Sequence, residues 1–329
     1  MKWNCCHASV QGESHRNTGT PCQDRTWSEE YGGVTAVALS DGAGSAEYSA
    51  AGAEMVVRTV CFHITRRFDR IISNPDGTAV SQEILSILRH ALTKKAEELG
   101  TDLSQLACTL LAAGIKDGQA FLIHIGDGVI GYTDDCTGKV GVLSEKDNGR
   151  YITHTNFVTS PDDIEKMRLF RFYTEKIGGF IFMSDGSAES LYRRQDNHLN
   201  SVLNPLTLLA ATQSSESTGT FLEDYLCKWV IPRTDDDCSL LIAAQRLTGE
   251  RCLNMTRDQQ RAVYGTDSLK ACIRISNVLR LCLESPRTVK QICRLTHVRK
   301  KAARRRLKRL TACGVLRYGN GRYCPTSSA

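Results

Sequence analysis

The chain has 329 residues, of which 41% are hydrophobic and 24% are charged, as in ordinary globular proteins. This length accommodates two domains. No apolar run approaches the roughly 18–20 residues that span a bilayer, and the N-terminus lacks the apolar core of a secretory signal. The 14 cysteines include no CxxC pair, which favours buried reduced thiols over a zinc knuckle. We therefore expect a cytoplasmic protein that does not bind membranes.

The net charge of +6 is distributed unevenly along the chain. Residues 250–329 contain 19 Lys and Arg against 4 Asp and Glu, a balance of +15, which leaves −9 for the preceding residues. Such a split predicts two domains with different partners. An acidic half suits cation binding, and a basic segment suits a polyanion or an acidic protein surface.

The first half of the chain alternates between strand and helix patterns. We predict a helix that begins near Ala46, capped by Ser45, and a second helix over 81–99. The turn Lys116-Asp117-Gly118 joins two strands as a hairpin. Short apolar or alternating runs predict strands at 3–11, 34–39, 106–115, 119–125, 128–133 and 139–143.

The second half begins with more strand patterns and then changes character. Strands are predicted at 168–175, 179–183 and 238–244, and helices at 204–213 and 219–229. Strands clustered between two early and two late helices favour an α+β layered sandwich over a βαβ array.

A polar segment over residues 247–267 predicts a linker between domains at 1–246 and 268–329. After it we expect helices over 269–283, 288–295 and 298–313, followed by a hairpin over 315–325. Three helices followed by a hairpin resemble a small winged helix-turn-helix domain.

Acidic residues recur where the predicted strands end. Asp41, Asp127 and Asp185 each follow an apolar strand and precede a glycine, Asp236 lies in an acidic triplet before the last strand, and Asp24 lies early in the chain. A single Asp-Gly pair is usually only a turn. Several carboxylates converging on one sandwich edge would repel each other unless cations neutralised them. Mn²⁺ and Mg²⁺ prefer such oxygen ligands, and paired ions could lower the pKa of a water and direct it at phosphorus.

These motifs resemble a known family in both order and spacing. They are Gln23-Asp24, Asp41-Gly42-Ala43-Gly44-Ser45, Thr109, Gly126-Asp127-Gly128, Ser184-Asp185-Gly186 and Asp236-Asp237-Cys238-Ser239. Residues 1–245 resemble the metal-dependent type 2C serine/threonine protein phosphatases, most of all their divergent bacterial branch. The resemblance implies a four-layer α-β-β-α sandwich with two Mn²⁺ or Mg²⁺ ions in the cleft between its sheets, and a third, weaker ion.

The resemblance also implies a role for each acid. Asp41 would bridge both metals, and the Gly42 carbonyl would complete one of them. Asp185 and Asp236 would hold the other metal, and Asp127 would recruit the third. Asp24 would orient metal-bound water.

The sequence departs from the family pattern at three positions. Gln23 replaces the usual glutamate, and Ala43 replaces the histidine often assigned as the general acid. Gly19 stands where an arginine commonly binds the substrate phosphate. His15 or Arg16, a few residues earlier, could take over either of the two missing roles. We assign His15 to the catalytic set beside Asp24, although a lone histidine is equally consistent with a solvated loop.

The predicted basic helix supplies the candidate nucleic-acid contacts, namely Arg299, Lys300, Arg304 and Arg305. A docking face for an acidic protein is the alternative. Our leading prediction is a phosphatase of phosphoserine and phosphothreonine proteins, the targets of a kinase, with a basic domain that targets or regulates it. The rivals are a DNA-binding regulator with a catalytically weak sensor domain and a hydrolase of a small phosphorylated metabolite.

Overall fold

The computed structural model describes residues 2–145, 155–160 and 166–326. Its strands, in chain order, are β1 (Trp3–Val10), β2 (Arg25–Tyr31), β3 (Val34–Ser40), β4 (Leu110–Lys116), β5 (Gln119–Ile125), β6 (Val129–Asp134), β7 (Val140–Ser144), β8 (Arg168–Tyr173), β9 (Ile177–Met183), β10 (Tyr192–Arg193), β11 (His198–Leu199), β12 (Cys238–Gln245), β13 (Leu316–Gly319) and β14 (Arg322–Pro325).

Ten of these strands form two antiparallel five-stranded sheets. The first sheet has the order β1-β12-β9-β6-β7, and the second has the order β2-β3-β4-β5-β8. In the second sheet Leu39 pairs with Leu111, and in the first Leu240 pairs with Met183. The sheets stack face to face around a core that includes Phe180.

The helices are α1 (Glu13–Thr18), α2 (Ser49–Ser73), α3 (Gly77–Leu99), α4 (Asp185–Leu191), α5 (Leu203–Thr212), α6 (Ser215–Tyr225), α7 (Gly249–Asn254), α8 (Arg257–Tyr264), α9 (Leu269–Glu284), α10 (Val289–Thr296) and α11 (Lys300–Ala312). Helices α2 and α3 pack on the outer face of the second sheet, and α4, α5 and α6 pack on the outer face of the first. The predicted four-layer α-β-β-α arrangement is therefore observed. No helix in the described ranges is long and apolar enough to cross a bilayer.

The continuous apolar strands follow from this layering. Along β3, Val34, Ala36 and Ala38 face α2 and α3, whereas Val37 and Leu39 face the other sheet. Successive side chains of a strand point to opposite faces. A strand covered on both faces is therefore mostly apolar along its length, without a regular alternation of polar side chains.

Several predicted boundaries are wrong. Helix α2 begins at Ser49 after Tyr48, which makes no side-chain cap, so Ser45 is not the cap. Strand β4 begins at Leu110, because Leu103–Leu106 form a 3₁₀ turn. Helix α6 begins at Ser215 instead of residue 219, since the hydroxyl of Ser214 caps it. The sequence also gave no indication of α1, β2 or α4.

The segment predicted as a linker is folded. It contains α7 and α8, whose buried side chains Cys252 and Tyr264 join the core on the outer face of the first sheet. Arg251 of α7 forms an ion pair with Asp135, in the connection between β6 and β7. Polar composition misled the prediction because the polar groups are satisfied internally, as where the Gln260 amide donates to the Cys252 carbonyl at 2.9 Å.

Helices α9, α10 and α11 and the β13–β14 hairpin follow in the predicted order. Thr288 caps α10 through a capping box with Gln291, which agrees with the predicted start of this helix. His297, at the predicted turn, has a φ of 52° and ends α10. The hairpin packs back on the domain through the bridge between Arg287 and Tyr323.

Candidate metal centre

The predicted acids come together at one end of the sandwich. Asp41 and Asp127 follow β3 and β5 of the second sheet, whereas Asp185 follows β9 of the first and Asp236 precedes β12. One carboxylate oxygen from each of Asp41, Asp127 and Asp185 lies within 4.8 Å of the other two. Both sheets therefore contribute to one cluster. Asp236 lies outside this trio but close enough to raise the pKa of both Asp41 and Asp185.

Backbone hydrogen bonds hold Asp41 in place. Its amide donates to the Thr109 hydroxyl at 2.9 Å, and the Thr109 amide donates to the Asp41 carbonyl at 2.8 Å. The Ala43 amide donates to the Ala107 carbonyl at 2.9 Å. The Gly42 carbonyl takes no part in these bonds and can face a ligand.

Asp185 is the first residue of α4, and Ser184 precedes it as the N-cap. This Asp-Gly pair is therefore not a turn, because the chain enters a helix there. A Cβ at Gly186 would clash with the Asp237 carbonyl. Glycine is required at this position because the first turn of α4 packs closely against the backbone that precedes β12, and not for a turn.

Asp127 is supported by a buried polar group that the sequence analysis did not identify. His124 is fully buried, and its ring nitrogens contact the Ser144 hydroxyl at 2.7 Å and the Gly126 carbonyl at 3.2 Å. Burial lowers the pKa of His124 to about 3, and Arg168 adds to this. The neutral imidazole can therefore hold the loop before Asp127 without adding charge. The Thr155 hydroxyl donates to the Asp127 carboxylate.

Asp24 is buried next to this cluster. Burial raises its pKa to about 7, and the charges of Asp237 and Asp185 add to that rise, whereas nearby Ser184 and Ser239 oppose it. Burial likewise raises the pKa of Asp185 to about 6 and that of Asp41 well above its usual range. These acids therefore repel each other when ionised.

This donor set fits divalent cations. Within the described residues, no Lys, Arg or His forms an ion pair with Asp24, Asp41 or Asp185. Carboxylates this close must either share protons or be neutralised by a cation. An all-oxygen set is the one that Mg²⁺ and Mn²⁺ prefer.

Asp237 has a function that the sequence analysis did not predict. It is buried, and its carboxylate accepts hydrogen bonds from the Gly12 amide at 2.7 Å and from the Gln23 amide at 2.6 Å. The same carboxylate lies 3.0 Å from Nδ1 of His15. Asp237 therefore holds α1 and the Gln23-Asp24 segment against the cluster. The sequence could not distinguish it from its two acidic neighbours.

His15 therefore lies at the edge of the cluster and not in a remote loop. Its side chain is 16% exposed. Asp236 remains partly open to solvent. Desolvation raises the pKa of its carboxyl, whereas the Asp237 amide and His15 lower it. The imidazole is thus within electrostatic range of a proposed metal ligand.

The candidate nucleic-acid residues lie in the C-terminal part of the chain, at the start of α11. Arg299, Lys300, Arg304 and Arg305 are exposed at or near the start of α11, whose Ala303, Leu307 and Leu310 are buried. The exposed positions form one face because residues three and four apart are neighbours on a helix.

The chain is similar to several known phosphatases. It is 26% identical over 255 residues to serine/threonine-protein phosphatase 3 of Escherichia coli (strain K12), a match that covers 74% of this chain and 98% of that protein. Among solved structures, it is 15% identical to the S. agalactiae serine/threonine phosphatase, with a TM-score of 0.51 and coverage of 74% and 100%. The catalytic domain of the phosphatase PstP, solved with two manganese ions, is 16% identical, with a TM-score of 0.50 and coverage of 74% and 97%.

These structures share the fold of the sandwich. The model of the protein phosphatase 2C family matches residues 11–227, which include Asp24, Asp41, Asp127 and Asp185. The chain belongs to the protein phosphatase 2C family and is a serine/threonine protein phosphatase of that type.

Proposed function

We propose that residues 1–246 hydrolyse phosphoserine and phosphothreonine in a protein substrate, using two Mn²⁺ or Mg²⁺ ions held by Asp41, the Gly42 carbonyl, Asp185 and Asp236. Asp127 would help to hold a third, weaker ion. The observation that carries this proposal is the convergence of three carboxylates within 4.8 Å, two of which, Asp41 and Asp185, form no ion pair with any Lys, Arg or His of the described residues. A protein-binding scaffold has no physical reason to bring three carboxylates together.

The chain's own residues position the reaction. When bound, the divalent ions supply a Lewis-acidic centre that activates water and neutralises the charge of the phosphoryl group. Buried Asp24 would accept a hydrogen bond from the attacking water and orient it. Asp237 fixes Asp24 by holding the neighbouring Gln23 amide.

His15 is the proposed proton donor to the departing serine or threonine oxygen. Ala43 cannot serve, and Nδ1 of His15 lies 3.0 Å from the Asp237 carboxylate, which places the ring at the edge of the cluster. We expect His15→Ala to reduce kcat by about 10²-fold with little change in metal affinity. His90→Ala, in an exposed histidine of α3, is the control and should be neutral. An unchanged kcat for His15→Ala would exclude this role.

The reaction is tested by measuring phosphate release from phosphoserine and phosphothreonine peptides by the full chain. We expect turnover with Mn²⁺ and its loss in EDTA, restored by excess Mn²⁺. Turnover that persists in EDTA would exclude metal catalysis. Turnover of small phosphorylated metabolites in place of peptides would favour the metabolite hydrolase. No turnover with full Mn²⁺ binding would favour a sensor domain.

We further propose that residues 268–329, of which 327–329 lie outside the described residues, form a winged-helix domain joined through 247–267. Its exposed α11 face, with Arg299, Lys300, Arg304 and Arg305, would contact the phosphates and base edges of duplex DNA. The element order supports the proposal, as does this basic face, whose four residues form no ion pair within the part of the chain that the structure describes. The alternative ligand is an acidic protein surface.

We expect the full chain to bind duplex DNA with an affinity that falls as the salt concentration rises, as measured by fluorescence anisotropy. Combining Lys300→Ala with Arg304→Ala should weaken binding and reduce the slope of log affinity against log salt by about 2, since each lost phosphate contact removes about one. Arg66→Ala, on α2 of the sandwich, is the control. The DNA proposal fails if no binding to duplex DNA is detected at low ionic strength.

A further inference from the structure

A second basic feature lies on a different side of the C-terminal helices. A groove with a volume of about 610 Å³ opens between α9, the end of α10 and α11. Arg274 and Arg280 of α9 and Arg306 of α11 line it. Unlike the exposed outer face of α11, this groove is concave. We call it the arginine groove.

The three arginines of this groove have no acidic partner within the described residues. Glu284 also lines the groove, but its carboxylate lies 3.7 Å from Arg287. Burial lowers the pKa of Arg306, and the neighbouring Arg274 and Arg305 lower it further by like-charge repulsion. Uncompensated positive charge in a partly desolvated groove favours an anionic ligand.

Apolar side chains also line the groove, beside the polar Asn277 and Thr296. Leu281 of α9, Leu295 at the end of α10 and Val298 after it contribute these surfaces. Leu295 is 48% exposed although it lies beside a folded core. An exposed leucine within a concave site indicates a ligand with an aliphatic group, because covering that surface removes it from water.

We propose that the arginine groove is a docking site for an acidic peptide segment that carries an aliphatic side chain, located on the protein substrate away from its phosphorylated residue. The carboxylates of the segment would pair with Arg274, Arg280 and Arg306, and its aliphatic side chain would cover Leu295. Nucleic acid fits this groove less well, since a phosphate backbone offers no aliphatic side chain. The proposal rests on the protein phosphatase activity of the first domain.

Docking has a kinetic consequence. A substrate held by the groove presents its phosphorylated residue to the metal centre at a raised effective concentration. Removing an arginine should therefore raise KM for substrates that carry the acidic segment and leave kcat unchanged. Substrates without the segment, such as p-nitrophenyl phosphate, should not respond.

The binding test uses the full chain and two fluorescent probes, a short peptide of alternating Glu and Leu and the same peptide with Ser in place of Leu. We expect Arg306→Ala and, separately, Arg280→Ala to weaken binding of the Glu-Leu peptide by about tenfold. Leu295→Ala should weaken binding of the Glu-Leu peptide but not of the Glu-Ser peptide. Arg304→Ala is the matched control, since it removes the same charge from the outer face of α11, and should change binding less than about twofold.

The kinetic test joins the Glu-Leu segment to a phosphoserine peptide. Arg280 is exposed on α9, so Arg280→Ala should leave folding intact. This variant replaces Arg306→Ala in the kinetic test if Arg306→Ala disturbs the helix packing. The proposal is overturned if neither probe binds, or if Arg304→Ala weakens binding as much as Arg306→Ala. It is also overturned if duplex DNA displaces the Glu-Leu peptide from the wild-type chain but not from the Arg306→Ala chain. Turnover of p-nitrophenyl phosphate by every variant would show that the catalytic proposal stands independently.

Discussion

Asp41→Asn should reduce Mn²⁺-dependent phosphate release by at least about 10³-fold. Replacing even a residue that supports a metal ligand typically costs 10–100-fold, and Asp41 is the proposed bridge between two ions. Asn keeps the size of the side chain and removes the negative charge, so the fold should persist while metal affinity falls. Phosphate release and Mn²⁺ binding by titration calorimetry measure the two effects separately.

The matched control for Asp41→Asn is Asp117→Asn. Asp117 also precedes a glycine after a strand, but it is exposed in the β4–β5 turn, with a φ of 47° that Asn tolerates. We expect this variant to keep wild-type turnover. Asp185→Asn should behave like Asp41→Asn. Normal turnover by either cluster variant would contradict the two-metal assignment, and loss of turnover by Asp117→Asn would indicate a general sensitivity to substitution.

The second large effect is on stability. In the metal-free protein, burial raises the pKa of Asp24 from 3.8 to about 7. Between these values the folded state holds a proton that the unfolded state has released. The stability that this group contributes is therefore fully present near and below pH 4 and is lost as the pH rises to about 7. Asp185, with a pKa of about 6, acts in the same direction.

We therefore expect the free energy of unfolding of EDTA-treated protein to be lower at pH 8 than at pH 5, as measured by urea denaturation. Mn²⁺ should restore stability at pH 8, because bound cations neutralise the ionised acids. Asp24→Asn removes one of the acids with a raised pKa and should reduce the dependence. Metal-free wild type that is more stable at pH 8 than at pH 5, or an undiminished slope in Asp24→Asn, would contradict the assigned cause.

The fold was largely predictable because its strands are apolar on both faces. Runs such as 34–39 and 238–244 have no polar alternation, and only burial between two layers explains that composition. Strand β2 escaped prediction because its sequence, RTWSEEY, lacks such a pattern and is only partly buried. Helices α7 and α8 escaped because their stability comes from packing against α5 and α9 and not from an apolar stripe that the sequence displays.

For the site, the sequence by itself determined which acids precede or follow strands, since strand ends and glycines are local signals. It also determined the basic character of α11. Only the tertiary structure decided that Asp127 lies within 4.8 Å of both Asp41 and Asp185. It also decided that Asp237 lies beside His15 and accepts a hydrogen bond from the Gln23 amide, across more than two hundred residues. The physical reason is that a carboxylate acquires its partners from whichever elements the folded sheets bring beside it. Charge and spacing along a chain carry no record of that packing.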